Sequence, residues 1–172
     1  MGSLHEISFL RVVIGLCVMS LVGTGYVATA QHAHHVATLP LTLAQKAATA
    51  ALAKCQTDGY LVSVAIVDPG GNMKVLVRDD GAGPHTTDSS TKKAYTSASL
   101  RRSTNELAKL INQVPNIEGL RDMNENILIL GGGLPIIIAG DIVGGIGVGG
   151  APGAHLDEAC AQAGLDALKK TS

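Results

Sequence analysis

The sequence predicts an α+β fold with an antiparallel sheet covered by helices. Two observations carry that expectation. Paired β-branched, apolar runs broken by short Gly-containing turns occur twice, near residues 61–78 and 134–148, and signal β-hairpins. Helical patterns lie before, between and after them, giving the order helix, hairpin, helices, hairpin, helix with no internal repeat. At 172 residues the chain is one domain long. One Phe, three Tyr and no Trp leave a core of Ala, Val, Leu, Ile and Gly, which favours close packing of helix on sheet.

The first thirty residues stand outside the fold. "LRVVIGLCVMSLVGTGYVATA" sets Arg11 before an apolar run that ends in Ala28-Thr29-Ala30, the pattern of a secretory signal cleaved after Ala30. Polar and glycine residues from Ser20 to Gly25 leave the run too short to span a bilayer, which needs about 20 apolar residues. Leu16 before Cys17 stands where a lipoprotein signal would have a small residue, so no lipid anchor is expected. Residues 31–40, "QHAHHVATLP", read as a surface leader whose His32, His34 and His35 follow no designed ligand spacing. The folded domain is expected over 41–172.

Its first helix is expected from Leu43 to Gln56, with Thr42 and Gln45 as a capping box and Gly59 just beyond its end. The first hairpin pairs Leu61–Asp68 with Met73–Arg78 around Pro69-Gly70-Gly71-Asn72. Next come two helical pieces. Thr87 or Asp88 caps the first, Ser89 to Ser99, and Ser103 or Thr104 caps the second, whose apolar face holds Leu107, Leu110 and Ile111. The second hairpin joins Leu134–Ala139 to Ile142–Val148 through Gly140-Asp141. The last helix, His155 to Lys170, puts Leu156, Ala159, Cys160, Ala163 and Ala167 on one stripe; Asp157 and Glu158 at its start and Lys169 and Lys170 at its end suit the helix dipole.

Charge and motifs exclude several functions. Thirteen basic against fourteen acidic residues, with no Lys/Arg block, argue against a nucleic-acid partner, whose binding rests on phosphate neutralisation. "GGGLP" and "VGGIGVGGAPG" lack the Lys-Ser/Thr that completes a phosphate loop. Their glycines instead let a helix, another subunit or a flat ligand approach the backbone. No G-x-S-x-G, C-x-x-C or H-E-x-x-H occurs, so hydrolase and zinc readings fall away. Cys55 and Cys160 remain past the signal, either as a disulfide or as two buried thiols.

The stretch "RDDGAGPHTTDSSTKK" then draws attention. Pro84 stiffens the approach to His85, and Gly81 and Gly83 let the backbone come close to a bound group. The helix start beyond offers free N–H groups to a carboxylate. Lys92, Lys93, Arg101 and Arg102 add positive charge along the same segment. Such a site suits a flat, anionic ligand with a metal at its centre; the bland alternative is a solvated histidine beside a helix cap.

In combination, "DPGGN", "RDDG", "KAYTSA", "GGGLPI", "GGIGVGG" and "DEACAQAG" resemble the GlcG/HbpS-like haem-binding (haem-degrading) domain family, related to the corrinoid-associated PduO C-terminal domain, over about Leu41 to Leu168. The resemblance implies a profilin-like α+β fold with a five-stranded antiparallel sheet, a homo-oligomer, and haem or a related tetrapyrrole as ligand, with a corrinoid as the alternative. Secreted members bind haem, degrade it in some cases, or sense redox state; an enzyme acting on a small hydroxy-acid or carbonyl metabolite is the competing reading. His85 is the first choice for the axial iron ligand, an imidazole fitting known axial chemistry. Lys92, Lys93 and Arg101 are the candidate propionate partners. Tyr95 and His155 stand behind His85, each read first as a structural position, as are Met73 and Met123.

Overall fold

The computed structural model describes residues 37–169. The expected signal segment and most of the leader, including His32, His34 and His35, lie outside them, as does Lys170. The elements run α1 (Leu41–Thr57), β1 (Ser63–Val67), β2 (Met73–Arg78), α2 (His85–Leu100), α3 (Thr104–Gln113), a 3-10 segment (Pro115–Asp122), β3 (Gly133–Ile138), β4 (Asp141–Gly149) and α4 (Ala154–Lys169). The α+β class and the antiparallel sheet are as expected. Among the described residues the sheet has four strands, in the order β2-β1-β4-β3, rather than the five that the resemblance implied.

The reason is local. Ile127 and Ile129, the apolar residues between the 3-10 segment and β3, are buried in a small cluster with Leu107 and Ile111 of α3. The Leu128 N–H donates to Thr96 Oγ1 at 2.8 Å instead of to a ladder. That stretch is therefore consumed in seating α3 and joins no strand.

Strand alternation divides the sheet between two helical layers. Val62, just before β1, and Val64 and Ile66 of β1 join Ile146 and Val148 of β4 in the main core beneath α1 and α4. Ala65 and Val67 point the other way, against Ala94 and Ala98 of α2. Small residues set the spacing of both layers. Ala44, Ala47, Ala48 and Ala51 form the buried face of α1. A Cβ on Gly164 would stand 2.7 Å from Ala47 O, so α4 needs glycine there to pack against α1. Cys55 and Cys160 close as a disulfide between these two helices, 105 residues apart in sequence, which decides the alternative left open by the sequence.

Under α2 the glycines of β4 face the helix backbone. A Cβ would lie 2.3 Å from Ala94 O at Gly145, 2.1 Å from Ser90 O at Gly147 and 2.5 Å from Ser89 Oγ at Gly149. "GGIGVGG" is thus the seat of a helix, the first of the three uses its glycines allowed. The helix it carries is polar. Its hydroxyls bond back to its own carbonyls, as Ser90 Oγ does to Thr87 O and Ser97 Oγ to Ala94 O.

Several boundaries differ from expectation for physical reasons. The Thr42/Gln45 capping box does not form; α1 starts at Leu41 behind Pro40, whose carbonyl takes the N–H groups of Leu43 and Ala44. The second hairpin turns at Ala139-Gly140, one residue earlier than expected, with Ile138 paired to Asp141 and φ of 52° and 89° at the two turn residues, as a two-residue turn with positive φ at both positions requires. Ser103 caps α3 as expected, accepting from the N–H groups of Asn105 and Glu106. On α4 the buried residues are Asp157, Cys160, Ala161 and Gly164, and Ala159 is exposed, so the stripe expected from apolar spacing is rotated.

Candidate functional site

The loop after β2 is organised from within. Asp79 N–H donates to Val62 O at 2.9 Å and Ala82 N–H to Asp79 O at 3.1 Å. The Arg78 guanidinium reaches forward and donates from Nε and Nη2 to Ala82 O. Arg78 of the "RDDG" stretch is therefore a brace that fixes the path of Gly81-Ala82-Gly83. The Asp79 carboxylate, by contrast, keeps one buried oxygen, Oδ2, with no hydrogen-bond partner among the described residues.

Helix α2 begins at His85, four residues ahead of the expected start, because Pro84 already holds helical angles (φ −62°, ψ −27°). No side chain caps it. Thr87 and Asp88 fall inside the first turn, and Thr86 closes the entry by donating N–H and Oγ1 to Gly83 O at 3.0 and 2.7 Å. Thr86 Oγ1 also lies 2.7 Å from Ser63 Oγ, tying the helix start to β1. His85 is therefore a helix residue on a braced N-terminus, and its side chain is exposed. A Cβ on Gly83 would lie 2.7 Å from His85 Cε1, so the imidazole rests over the bare backbone of residue 83. On the other flank, Leu61 comes within 3.3 Å of the Cβ position of Gly81 and is 51% exposed, an apolar surface beside the loop.

The other predicted site residues separate. Lys92 is half-buried, and its ammonium lies 3.2 Å from Asp88 Oδ2 one turn back, on the same stretch as His85. Lys93 is 2% exposed; its Nζ donates to Asp157 Oδ2 at 2.7 Å and to Val148 O at 2.9 Å. A buried ammonium so engaged serves the core and does not face an external carboxylate. Tyr95 packs its ring over Gly71, where a Cβ would lie 2.4 Å from Cδ2. Arg101 is the exposed C-cap of α2 in left-handed geometry (φ 56°), at the end of a 16-residue helix, about 24 Å from His85 at ~1.5 Å per residue. One flat ligand on His85 and an ion pair to Arg101 are therefore incompatible within one chain.

The residues present fit a haem in part. An exposed imidazole on a rigid helix start can ligate iron. Lys92 can meet one propionate, and Leu61 adds exposed apolar surface beside Gly81 of the same loop. A separate apolar groove of about 500 Å³ lies on the opposite layer, between β3 and the α1/α4 pair, lined by Leu43, Ile137, Ile138, Leu165 and Leu168 among others. Among the described residues its lining contains no imidazole, thiol, thioether or phenol, so these offer it no axial ligand of those kinds.

Two features of the loop before His85 have no signal in the sequence: the unpartnered Asp79 Oδ2 and the exposed Leu61 beside Gly81. Asp157, read there as a dipole partner, is the counter-ion of Lys93. The signal for Asp157 was weak, because an acid in a helix's first turn ordinarily needs no partner.

Residues 39–166 match the family described as "Haem degrading protein HbpS-like". An uncharacterised 15.0 kDa protein from the dhaT-dhaS intergenic region of Citrobacter freundii is 35% identical over 136 residues, 78% of this chain and 95% of that protein. The crystal structure of a double mutant of Streptomyces reticuli HbpS is 46% identical, with a TM-score of 0.70, over 75% of this chain and 86% of that one. The structure of a PduOC:heme complex is 26% identical, also with a TM-score of 0.70, over 76% of this chain and 94% of that one.

Proposed function

The chain belongs to the HbpS-like family, and on that footing we propose that it is an extracytoplasmic protein that binds haem, with the His85 imidazole as axial iron ligand and Lys92 beside it as a propionate partner. The observation that carries the reading is the placement of His85. Its ring is exposed, held at the first residue of a helix whose entry is fixed by Thr86, Ser63 and Arg78, over a glycine that leaves room for it. Rigid support of this kind holds a ligand nitrogen in one orientation, which an iron site needs. The likeness to a PduOC:heme complex supports a tetrapyrrole over other flat ligands.

The disulfide supports the extracytoplasmic part of this reading. Cys55 and Cys160 are fully buried and bonded to each other, and such bridges persist in oxidising compartments. This agrees with residues 1–30 acting as a secretory signal. A homo-oligomer is part of the same reading: His85 lies on an open surface, and Ile137 and Ile138 are 57% and 39% exposed, so a second copy supplies cover that one chain lacks.

The spectrum of the complex tests the ligand. Haem ligated by imidazole gives a low-temperature electron paramagnetic resonance signal that His85→Ala removes while His155→Ala leaves it intact. Saturable binding of a cobalamin in place of haem would move the protein to the corrinoid alternative.

A further inference from the structure

We propose that β2 is a docking edge for a second copy of this chain, the two β2 strands pairing antiparallel about a twofold axis at Val77 so that two sheets join into one. This rests on the homo-oligomer part of the reading above and locates its contact. The outer strands of the sheet are β2 and β3, and they end it differently. A bare edge offers a row of unpaired N–H and C=O groups to another strand. On β3 that row is filled or missing. The Gly133 N–H donates to Thr104 Oγ1 at 2.9 Å, Thr104 Oγ1 donates back to Gly133 O at 3.5 Å, and Pro135 has no N–H. A copy covering the exposed Ile137 and Ile138 therefore packs on a face of β3 and leaves the edge of β2 open.

On β2 the row is bare. Asp79 N–H donates to Val62 O at 2.9 Å, so these two residues form a hydrogen-bonded pair at the end of the β1–β2 ladder. Such pairs alternate along an antiparallel ladder, which makes Val64 with Val77 and Ile66 with Val75 the next ones. The N–H and C=O groups of Leu76 and Arg78 then point away from β1, and no described residue bonds to them. Leu76 is 43% exposed, and the strand contains no proline. Its one irregularity, opposite Ile66 and Val67, leaves the run from Val75 to Asp79 regular.

Charge selects the partner and the register. A twofold axis at Leu76 would set Lys74 opposite Arg78 of the second copy, and one at Arg78 would set two arginines face to face. Like charges directly opposed are destabilising. An axis at Val75 would draw the irregular end of the strand into the pairing. With the axis at Val77, Leu76 stands opposite Arg78 of the second copy, so their bare groups bond each other, and Lys74 stands opposite Asp80. Lys74 is half-buried, Asp80 is exposed, and neither forms an ion pair among the described residues; Lys74 only lends charge to Asp68. A lysine on an edge repels an indifferent strand. Met by Asp80, it admits this one. The same pairing brings Lys74 of one copy beside the loop that leads to His85 of the other.

Sedimentation equilibrium of the purified protein, without added haem, reads the contact. Wild type is expected to be an oligomer. Leu76→Pro removes an outward N–H and leaves the β1 ladder intact, so it should halve the mass with an unchanged far-ultraviolet circular dichroism spectrum. Lys74→Glu should weaken assembly at least about tenfold, and Lys74→Glu/Asp80→Lys should restore it. Val77→Cys should form a disulfide-linked dimer without reductant, because facing residues in a non-hydrogen-bonded pair have Cα atoms about 4.5 Å apart, within disulfide range. This last variant carries the test if Leu76→Pro does not fold. A monomeric wild type would overturn the docking edge and the homo-oligomer together. An oligomer whose mass ignores both Leu76→Pro and Lys74→Glu would overturn the docking edge alone. A charge swap that fails to restore assembly, or a Val77→Cys protein that stays unlinked, would overturn the pairing about Val77.

Discussion

Lys93 Nζ and Asp157 Oδ2 stand 2.7 Å apart in the core, 2% and 5% exposed, and join "KAYTSA" to "DEACAQAG" across 64 residues of sequence. Two stretches that mark the family in sequence are therefore one ion pair in space. The energetic character of such a pair is asymmetric, because breaking one side leaves the other charge buried. Lys93→Met is expected to cost about 3–5 kcal/mol of unfolding free energy at neutral pH, measured by urea denaturation. The cost shrinks on acidification, since the stranded Asp157 carboxyl, already raised by burial, escapes by taking a proton.

The seat of α2 gives a second prediction. Gly147→Ala puts a methyl 2.1 Å from Ser90 O and 2.5 Å from Ala94 N, both backbone atoms that move only with the helix. A loss of about 1–3 kcal/mol is expected, with weakened haem binding because the His85 end of the helix shifts. Gly119→Ala, at a position with nothing within 4 Å, should change stability by less than about 0.5 kcal/mol. Thermal melts of the two variants side by side check both.

The Cys55–Cys160 bridge closes a loop of 105 residues between α1 and α4. Its reduction should cost about 2–5 kcal/mol, read as a drop in denaturation midpoint on adding a thiol reductant. Cys55→Ala/Cys160→Ala, which starts at the lower midpoint, should not respond to the reductant.

Much of the fold was legible because its signals are local. The Asp68–Asn72 turn between β1 and β2 shows in sequence as "DPGGN", and Ser103 caps α3 through atoms two and three residues away. Signals failed where the deciding partner was distant or absent. Pro84 starts α2 by backbone angle alone, so a search for a capping side chain placed the start at Ser89. The buried face of α4 includes an acid and a glycine, Asp157 and Gly164, which no apolar stripe contains. Asp157 is buried because Lys93 is there, and Gly164 because Ala47 is. For the same reason Lys93, a surface cation by its residue type, was expected among the propionate partners together with Arg101, which the helix carries to its far end.

The most direct measurement is a haem titration of residues 31–172 followed by Soret absorbance, with wild type and His85→Ala in parallel. If His85 is the axial ligand, wild type shows saturable Soret growth, and the variant loses it or gives a shifted band with at least about tenfold weaker binding. Saturable growth of equal affinity and identical spectrum in both proteins would contradict the assignment of His85. No saturable growth in wild type would contradict haem binding itself.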